Sequence, residues 1–395
     1  MKNTPAGFRR LYFLIGSLLA LVTLIILLDS LPVPQTVSQR ISEDTLLADA
    51  LTETLSSETA VIATPPMETT TAETETSAVL ESETATEETT APEVVMPPKD
   101  PNTTVLTFLG ACSPGSPMGT NAYGSLNSVA QNKGTQFFFS KLADILYADD
   151  LTVAANACAF TDTAIESSLT CAAEPSQASV YSAAGIDFVS LSAPLFREKT
   201  ENYRTDTENA LKKQSVSISS ENTVSYLDVN DIRIALLCTL VEKGFDSSAA
   251  IQSVKAAVNE ADYVIVYFWS AGTISSTPED WLRYTLHQFA DAGASLIVGV
   301  GEGEIRPVEQ YQKATIAYSL GSMINGASFG TDDISAMLRL SLKKQEDGTL
   351  SSEITMIPCA FTENRWQPAP LPSGELKSQI DAFLAGDSDL PLVNQ

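Results

Sequence analysis

Hydrophobic residues fall into three regimes along the chain. Residues 11–28 are 18 consecutive positions without a charge, rich in Leu and Ile. As a helix this run rises about 27 Å, close to the ~30 Å hydrocarbon core of a bilayer. Residues 31–100 contain no aromatic side chain and follow patterns such as Glu68-Thr69-Thr70-Thr71-Ala72-Glu73-Thr74-Glu75-Thr76. Nothing in that stretch offsets the entropy of ordering, so it reads as a disordered stalk. From residue 101 onward, strand-like apolar runs alternate with helix-like ones. Residues 105–109, 150–155, 188–191, 232–240, 263–268, 296–299 and 315–320 predict strands. The run 263–268 is too continuously apolar to alternate, which predicts burial on both faces. Residues 137–148, 177–184, 247–260 and 278–291 predict helices. Ser247 is the expected N-cap of the third. The fourth carries the fullest set of end signals: Thr277 as cap, Pro278 in the first position, Glu279 and Asp280 beside the dipole's positive end, and Gly293 after its last turn. Residues 335–343 and 350–357 alternate apolar and polar around Glu346-Asp347-Gly348, which predicts a hairpin. Strand–helix alternation followed by a hairpin predicts an α/β fold with a late antiparallel sheet.

Charge orients the first regime. Lys2, Arg9 and Arg10 precede the apolar run and Asp29 follows it. This asymmetry predicts a cytoplasmic N-terminus and an outward-facing remainder. A cleavable signal peptide shares the charged start, but Asp29-Ser30-Leu31-Pro32 is a poor cleavage site, which favours an uncleaved anchor. The expected organisation is residues 1–30 as cytoplasmic stub and transmembrane signal anchor, 31–100 as stalk, and 101–395 as an extracellular domain. The membrane is thus the first predicted partner, through residues 11–28. The stalk holds 14 acidic and 2 basic residues, net −12, and 15 Thr. As a flexible chain it spans on the order of 46 Å, more with charge repulsion.

Composition then removes several chemistries. The 395 residues include 23 Lys plus Arg, 49 Asp plus Glu, one His and five Cys, for a net charge of −26. Nucleic acid is disfavoured as a partner by that balance. One histidine cannot build a His-rich metal cluster, although a Ser-His-Asp triad would need only one. Cysteines at 112, 158, 171, 238 and 359 include no C-x-x-C pair, so zinc ribbons and thioredoxin-like motifs are absent. His287, with Asp280, Arg283 and Asp291 along one helical face, lies opposite the apolar stripe of Leu282, Leu286, Phe289 and Ala290, so a solvated surface histidine is expected. Glu302 and Glu304 follow the strand 296–299, where α/β sites usually lie. A carboxylate pair there suits acid–base work or a hard cation, and a solvated loop between Gly301 and Gly303 is the plainer alternative.

Several segments, in order, resemble one family. They are Leu106-Thr107-Phe108-Leu109-Gly110, Ala154-Ala155-Asn156, Ala184-Gly185-Ile186-Asp187-Phe188-Val189-Ser190-Leu191, Val264-Ile265-Val266-Tyr267-Phe268-Trp269-Ser270, Leu296-Ile297-Val298-Gly299, Pro307-Val308-Glu309 and Tyr318-Ser319-Leu320-Gly321. Together they are similar to the CapA family of capsule and poly-γ-glutamate biosynthesis proteins. The resemblance implies a metallophosphoesterase-like sandwich of two β-sheets flanked by helices, commonly tethered outside the membrane. It also implies a metal site, and the departures fall there. Where the family has Gly-Asp this chain has Gly110-Ala111; for Asn-Leu-Glu, Asn156-Ala157-Cys158; for Asn-Asn-His, Ser192-Ala193-Pro194. For His-Trp-Gly it has Phe268-Trp269-Ser270; for the Gly-His-His-Pro-His block, Gly299-Val300-Gly301-Glu302-Gly303; for Ser-Leu-Gly-Asn, Ser319-Leu320-Gly321-Ser322. Two-metal sites need Asp, Asn and His ligands near both ions. Only Asn156 survives, so no metal and no other cofactor is expected.

The vestigial pocket is thus expected to keep Asn156, Trp269, Glu302 and Glu304, with no assignable catalytic set. Trp269 either stacks on a ligand or fills space left by lost ligands. Cys112 and Cys158, beside vacated positions, are expected either to meet as a disulfide or to remain buried thiols. The leading expectation is a non-catalytic accessory in capsule or poly-γ-glutamate-type polymer synthesis or export, with an anionic surface polymer or its synthesis machinery as partner. The alternatives are a divergent hydrolase or transferase acting on surface polymer, and a purely structural surface protein.

Overall fold

A computed structural model describes residue 100 and residues 102–163, 171–198, 201–271, 276–301, 303–326, 334–361 and 366–389. The predicted anchor and stalk lie outside these residues. Among the described residues no helix is long and apolar enough to cross a membrane.

The strands are β1 (Thr104–Ser113), β2 (Leu151–Asn156), β3 (Ala159–Phe160), β4 (Ala172–Ala173), β5 (Phe188–Leu191), β6 (Ser217–Ser220), β7 (Thr223–Val229), β8 (Ile232–Glu242), β9 (Tyr263–Ala271), β10 (Leu296–Val300), β11 (Ile305–Tyr311), β12 (Ala314–Leu320), β13 (Ser322–Asn325), β14 (Ile334–Lys344), β15 (Leu350–Phe361) and β16 (Pro368–Pro370). The α-helices are α1 (Leu126–Lys133), α2 (Ala143–Leu146), α3 (Ser179–Ser182), α4 (Leu195–Glu198), α5 (Glu201–Lys213), α6 (Ser248–Ala257), α7 (Asp280–Asp291) and α8 (Glu375–Leu384). One sheet has the order β16-β15-β14-β1-β2-β5-β6, with β13 also on β1; the second runs β11-β12-β10-β9-β8-β7. The fold is α/β, with two mixed sheets and helices.

The two sheets pack face to face, and the side-chain period shows how. On β8 and β9, Ile234, Leu236, Cys238, Leu240, Ile265, Tyr267 and Trp269 join the core shared with β1 and β2. The intervening Ala235, Leu237, Val241, Val264, Val266 and Phe268 pack instead with Val254 of α6 and with Leu282, Leu286 and Phe289 of α7. Both alternating sets are therefore buried, which is why 263–268 reads as unbroken apolar sequence. Phe108 of β1 meets Tyr267 of β9 across the sheets at 5.7 Å between ring centroids. The Tyr267 hydroxyl donates to the Leu109 carbonyl at 2.8 Å, so the buried phenol is satisfied.

Acidic side chains fix where the first sheet's strands begin. Asp150 Oδ2 accepts the Val105 N–H at 2.8 Å, and Asp187 Oδ2 accepts the Thr152 N–H at 2.8 Å. Burial raises the Asp187 carboxyl above its ordinary range, partly offset by that N–H bond. Asp149 is fully buried, pairs with Arg339 of β14 at 2.5 Å and accepts from the Thr107 hydroxyl.

The structure changes several predicted elements. The segment 137–148 is mostly turns, with only the four-residue α2 helical. Segment 177–184 becomes a 3-10 turn followed by α3. Ser247 takes the expected N-cap position of α6 without a side-chain cap bond; Asp246 accepts the Ser248 N–H, while the Ser247 hydroxyl donates to Gln288. In α7 the N-cap position is taken by Glu279, so Pro278 precedes the helix. The hairpin β14–β15 builds no sheet of its own: β14 pairs antiparallel with β1, Thr104 opposite Leu342, and extends the first sheet. With neighbours on both edges, β14 is buried along most of its length. Helix α5 was not predicted because its stripe of Tyr203, Thr207, Ala210 and Leu211 is embedded among charges. Strand β11 was hidden by Pro307, which its edge position tolerates.

The Asp149–Arg339 pair carries the prediction here. Asp149→Ala leaves a buried guanidinium and the Thr107 hydroxyl uncompensated, and is expected to lower unfolding free energy by roughly 3–5 kcal/mol in a denaturant titration.

Candidate functional site

Ligand sites of α/β sheets lie beyond the carboxyl ends of parallel strands. In the first sheet β1, β2, β5 and β6 run parallel, and Cys112 stands opposite Asn156 at the ends of β1 and β2. The place where the family resemblance implies metal ligands is occupied by side chains. Asn156 is fully buried and its amide is committed. Its Oδ1 accepts from the Tyr181 hydroxyl at 2.8 Å and from the Cys158 N–H at 3.2 Å, and its Nδ2 donates to the Cys158 carbonyl at 2.8 Å. The side chain thus closes the turn after β2 rather than facing an opening. Tyr181, projected from α3, is itself fully buried and packs edge-on against Phe160 at 6.2 Å between centroids. Gly110 has no room for a side chain: a Cβ there would lie 2.5 Å from the Gly321 carbonyl oxygen. The neighbouring Ala111 N–H donates to that same carbonyl at 2.9 Å.

The surroundings hold the polar groups of this region in their neutral forms. Burial pushes the Cys112 and Cys158 thiols well up, Cys158 additionally through the sulfur of Cys171 beside it. Burial raises Tyr181 far above a free phenol, with the Cys112 and Cys158 sulfurs adding to it. Cys238, opposite Tyr267 on β8, is pushed up by burial to about 12, although the Ser190 and Ser219 hydroxyls lower it somewhat. Thiols so placed carry no thiolate at neutral pH and act as small apolar groups.

These residues do not fit a two-metal centre. Ala111, Ser192 and Phe268 stand where the resemblance implies metal-site motifs, and the Asn156 amide has no free lone pair directed at a cavity. The Ser192 hydroxyl is buried and accepts from the Ser190 hydroxyl at 3.1 Å. Among the described residues, no three His, Cys, Asp or Glu are grouped to hold a metal ion.

The predicted pocket residues are not gathered into one site. Trp269 is buried in the core between the sheets, so it fills space and offers no ligand face. Glu304 is exposed ahead of β11. Glu302 lies outside the described residues. Cys112 and Cys158 are not bonded; all five cysteines are free and buried.

His287 differs from the solvated residue expected of it. It is largely covered, stacks on Tyr311 at 3.7 Å and 11°, and its Nε2 lies 3.0 Å from Glu309 Oε1. Arg283 donates to Glu309 Oε2 at 3.2 Å and the Tyr318 hydroxyl donates to the same oxygen. Helical spacing placed His287 off the apolar stripe correctly, but β11 was unpredicted, and so was the strand that covers it. Sequence reading also missed Tyr181 and Cys171.

Residues 105–327 match the family model described as bacterial capsule synthesis protein PGA_cap. A curated relative, the PGA biosynthesis protein CapA of Bacillus subtilis (strain 168), is 28% identical over 196 residues, covering 44% of this chain and 50% of the relative. The match therefore spans half the length of that relative. Among solved structures, a hypothetical protein from Thermus thermophilus superimposes with a TM-score of 0.41 at 15% identity, covering 64% of this chain and 99% of the other. Vps29 of Chaetomium thermophilum gives 0.22 at 11% identity, covering 66% and 98%.

Asn156→Ala would remove three hydrogen bonds and strand the Tyr181 hydroxyl and the Cys158 carbonyl in a dry region. The expected loss is about 1–3 kcal/mol per group left unpaired, read by thermal or denaturant unfolding.

Proposed function

Because this chain belongs to the bacterial capsule synthesis protein family PGA_cap, we propose that it is a membrane-anchored, outward-facing accessory of surface-polymer synthesis or export, acting without catalysis. In this reading residues 11–28 hold it in the membrane, residues 31–100 keep the folded part at a distance, and residues 101–395 keep the two-sheet frame of a metallophosphatase-like enzyme as a binding scaffold. The observation that carries the reading is the committed amide of Asn156, bonded to Cys158 and Tyr181 in the region where relatives would hold metal. Filling that region with neutral aromatic and thiol groups stabilises the frame and removes the electrostatics a phosphatase or acyl-transfer reaction needs.

The polymer class comes from the relative's printed name, poly-γ-glutamate being polyanionic. The chain carries −26 itself, so long-range forces oppose direct contact with such a polymer. We therefore assign the membrane-bound synthesis or export machinery as the partner.

Complementation tests this role. In cells lacking the chain, surface polymer should be restored equally by the native protein and by a Glu302→Gln/Glu304→Gln double variant. A version lacking residues 1–30 should fail to restore it. A fall on the order of 100-fold with the double variant, the size expected for loss of general acid–base catalysis, would overturn the non-catalytic reading.

A further inference from the structure

One cysteine stands just before β3 and another just before β4. Strands β3 and β4 run parallel, Ala159 opposite Ala172 and Phe160 opposite Ala173. One residue earlier in that register stand Cys158 and Cys171, and the Ala159 N–H donates to the Cys171 carbonyl at 3.1 Å. Adjacent strands lie about 4.8 Å apart, inside the ~4.4–6.8 Å range of Cα separations that a disulfide spans. Register partners project to the same face, and the Cys171 side chain is near enough to help push the Cys158 thiol up.

Among the described residues, no other cysteine has a thiol as its register partner. Cys112 stands opposite Asn156 and Ile324, Cys238 opposite Thr223 and Tyr267, and Cys359 opposite Ser335 and Pro370. The pair is also held in place by its neighbours. The Phe160 N–H donates to the Thr207 hydroxyl of α5 at 3.0 Å, and Ser116 and Ala172 exchange two backbone bonds of 3.0 Å. Gly115 presses on the pair from a third side, where a Cβ would fall 2.4 Å from the Cys158 sulfur.

We infer that Cys158 and Cys171 form a disulfide when the protein folds in an oxidising compartment. Two S–H bonds break and one S–S bond forms. The two electrons and two protons pass to a low-molecular-weight disulfide, which departs as two thiols. Exchange takes place before β3 and β4 close over the sulfurs, because both are buried afterwards. The bond joins the start of β3 to the start of β4 beside the Asn156–Tyr181 network and so staples the filled region. Oxidation inside cells rests on the outward placement proposed above; the pairing itself rests on the register.

Two arms separate these claims. The full chain is unfolded with its thiols reduced and refolded in detergent with a mixture of reduced and oxidised glutathione. Non-reducing peptide mass spectrometry should then find the Cys158–Cys171 linkage, and denatured protein should titrate as three thiols of the five. Reduction should lower the melting temperature by about 5 °C, and this sensitivity should vanish in Cys158→Ser and in Cys171→Ser. Five free thiols, or a Cys112–Cys158 linkage, would overturn the pairing. The second arm counts thiols in protein taken directly from the cell envelope under acid quench. If refolded protein pairs while envelope protein keeps five thiols, the pairing stands and the outward placement fails.

Discussion

Burial of the central strands on both faces is the constraint from which the rest of the structure follows. On β8 and β9 one set of side chains faces the first sheet and the alternate set faces α6 and α7. A polar group left unpaired on these strands costs about 1–3 kcal/mol. Tyr267 is accordingly bonded to the Leu109 carbonyl, Tyr181 to Asn156 and Asp149 to Arg339, while the buried Thr152 and Ser270 hydroxyls and Arg339 Nε have no partner. A frame held this way keeps its shape when the chemistry at its strand ends is exchanged.

In the proposed reading, that exchange is what distinguishes the chain. Loss of charged ligands beside a dry core leaves a void or an unsatisfied polar group, and either destabilises. Here the turn after β2 folds onto its own asparagine, and Tyr181 and the thiols of Cys112 and Cys158 occupy the remaining space. On the proposed function these groups stand as core where an electrostatic site would otherwise lie. The Cys158–Cys171 register extends the same logic, since a covalent staple beside a repacked region compensates for cohesion that metal coordination supplies in other proteins.

The legible parts of the sequence were those where one physical rule acted alone. Continuous apolar runs marked β8, β9 and β10 because both faces are buried, and alternation around Glu346-Asp347-Gly348 marked the β14–β15 hairpin. Partner choice was hidden: nothing local says that β14 joins β1, which is decided by apolar residues on both faces of β14. Helix 137–148 failed because a short apolar stripe there is satisfied by turns packed on the core. The environment of His287 was invisible because β11 carries Pro307 and Glu309 and reads as loop. At the strand ends, the sequence offered residues unable to ligate at the positions where the resemblance implies ligands. The identity of the filler was not, because Tyr181 arrives from a separate segment and Asn156 looks like a free ligand until its bonds are known.

The most direct test of the account is the metal content of the purified full chain, measured by elemental analysis after equilibration with Mn²⁺, Fe²⁺ and Zn²⁺ and removal of excess. A filled and neutral site predicts no stoichiometric metal. One tightly held ion or more per chain would contradict it.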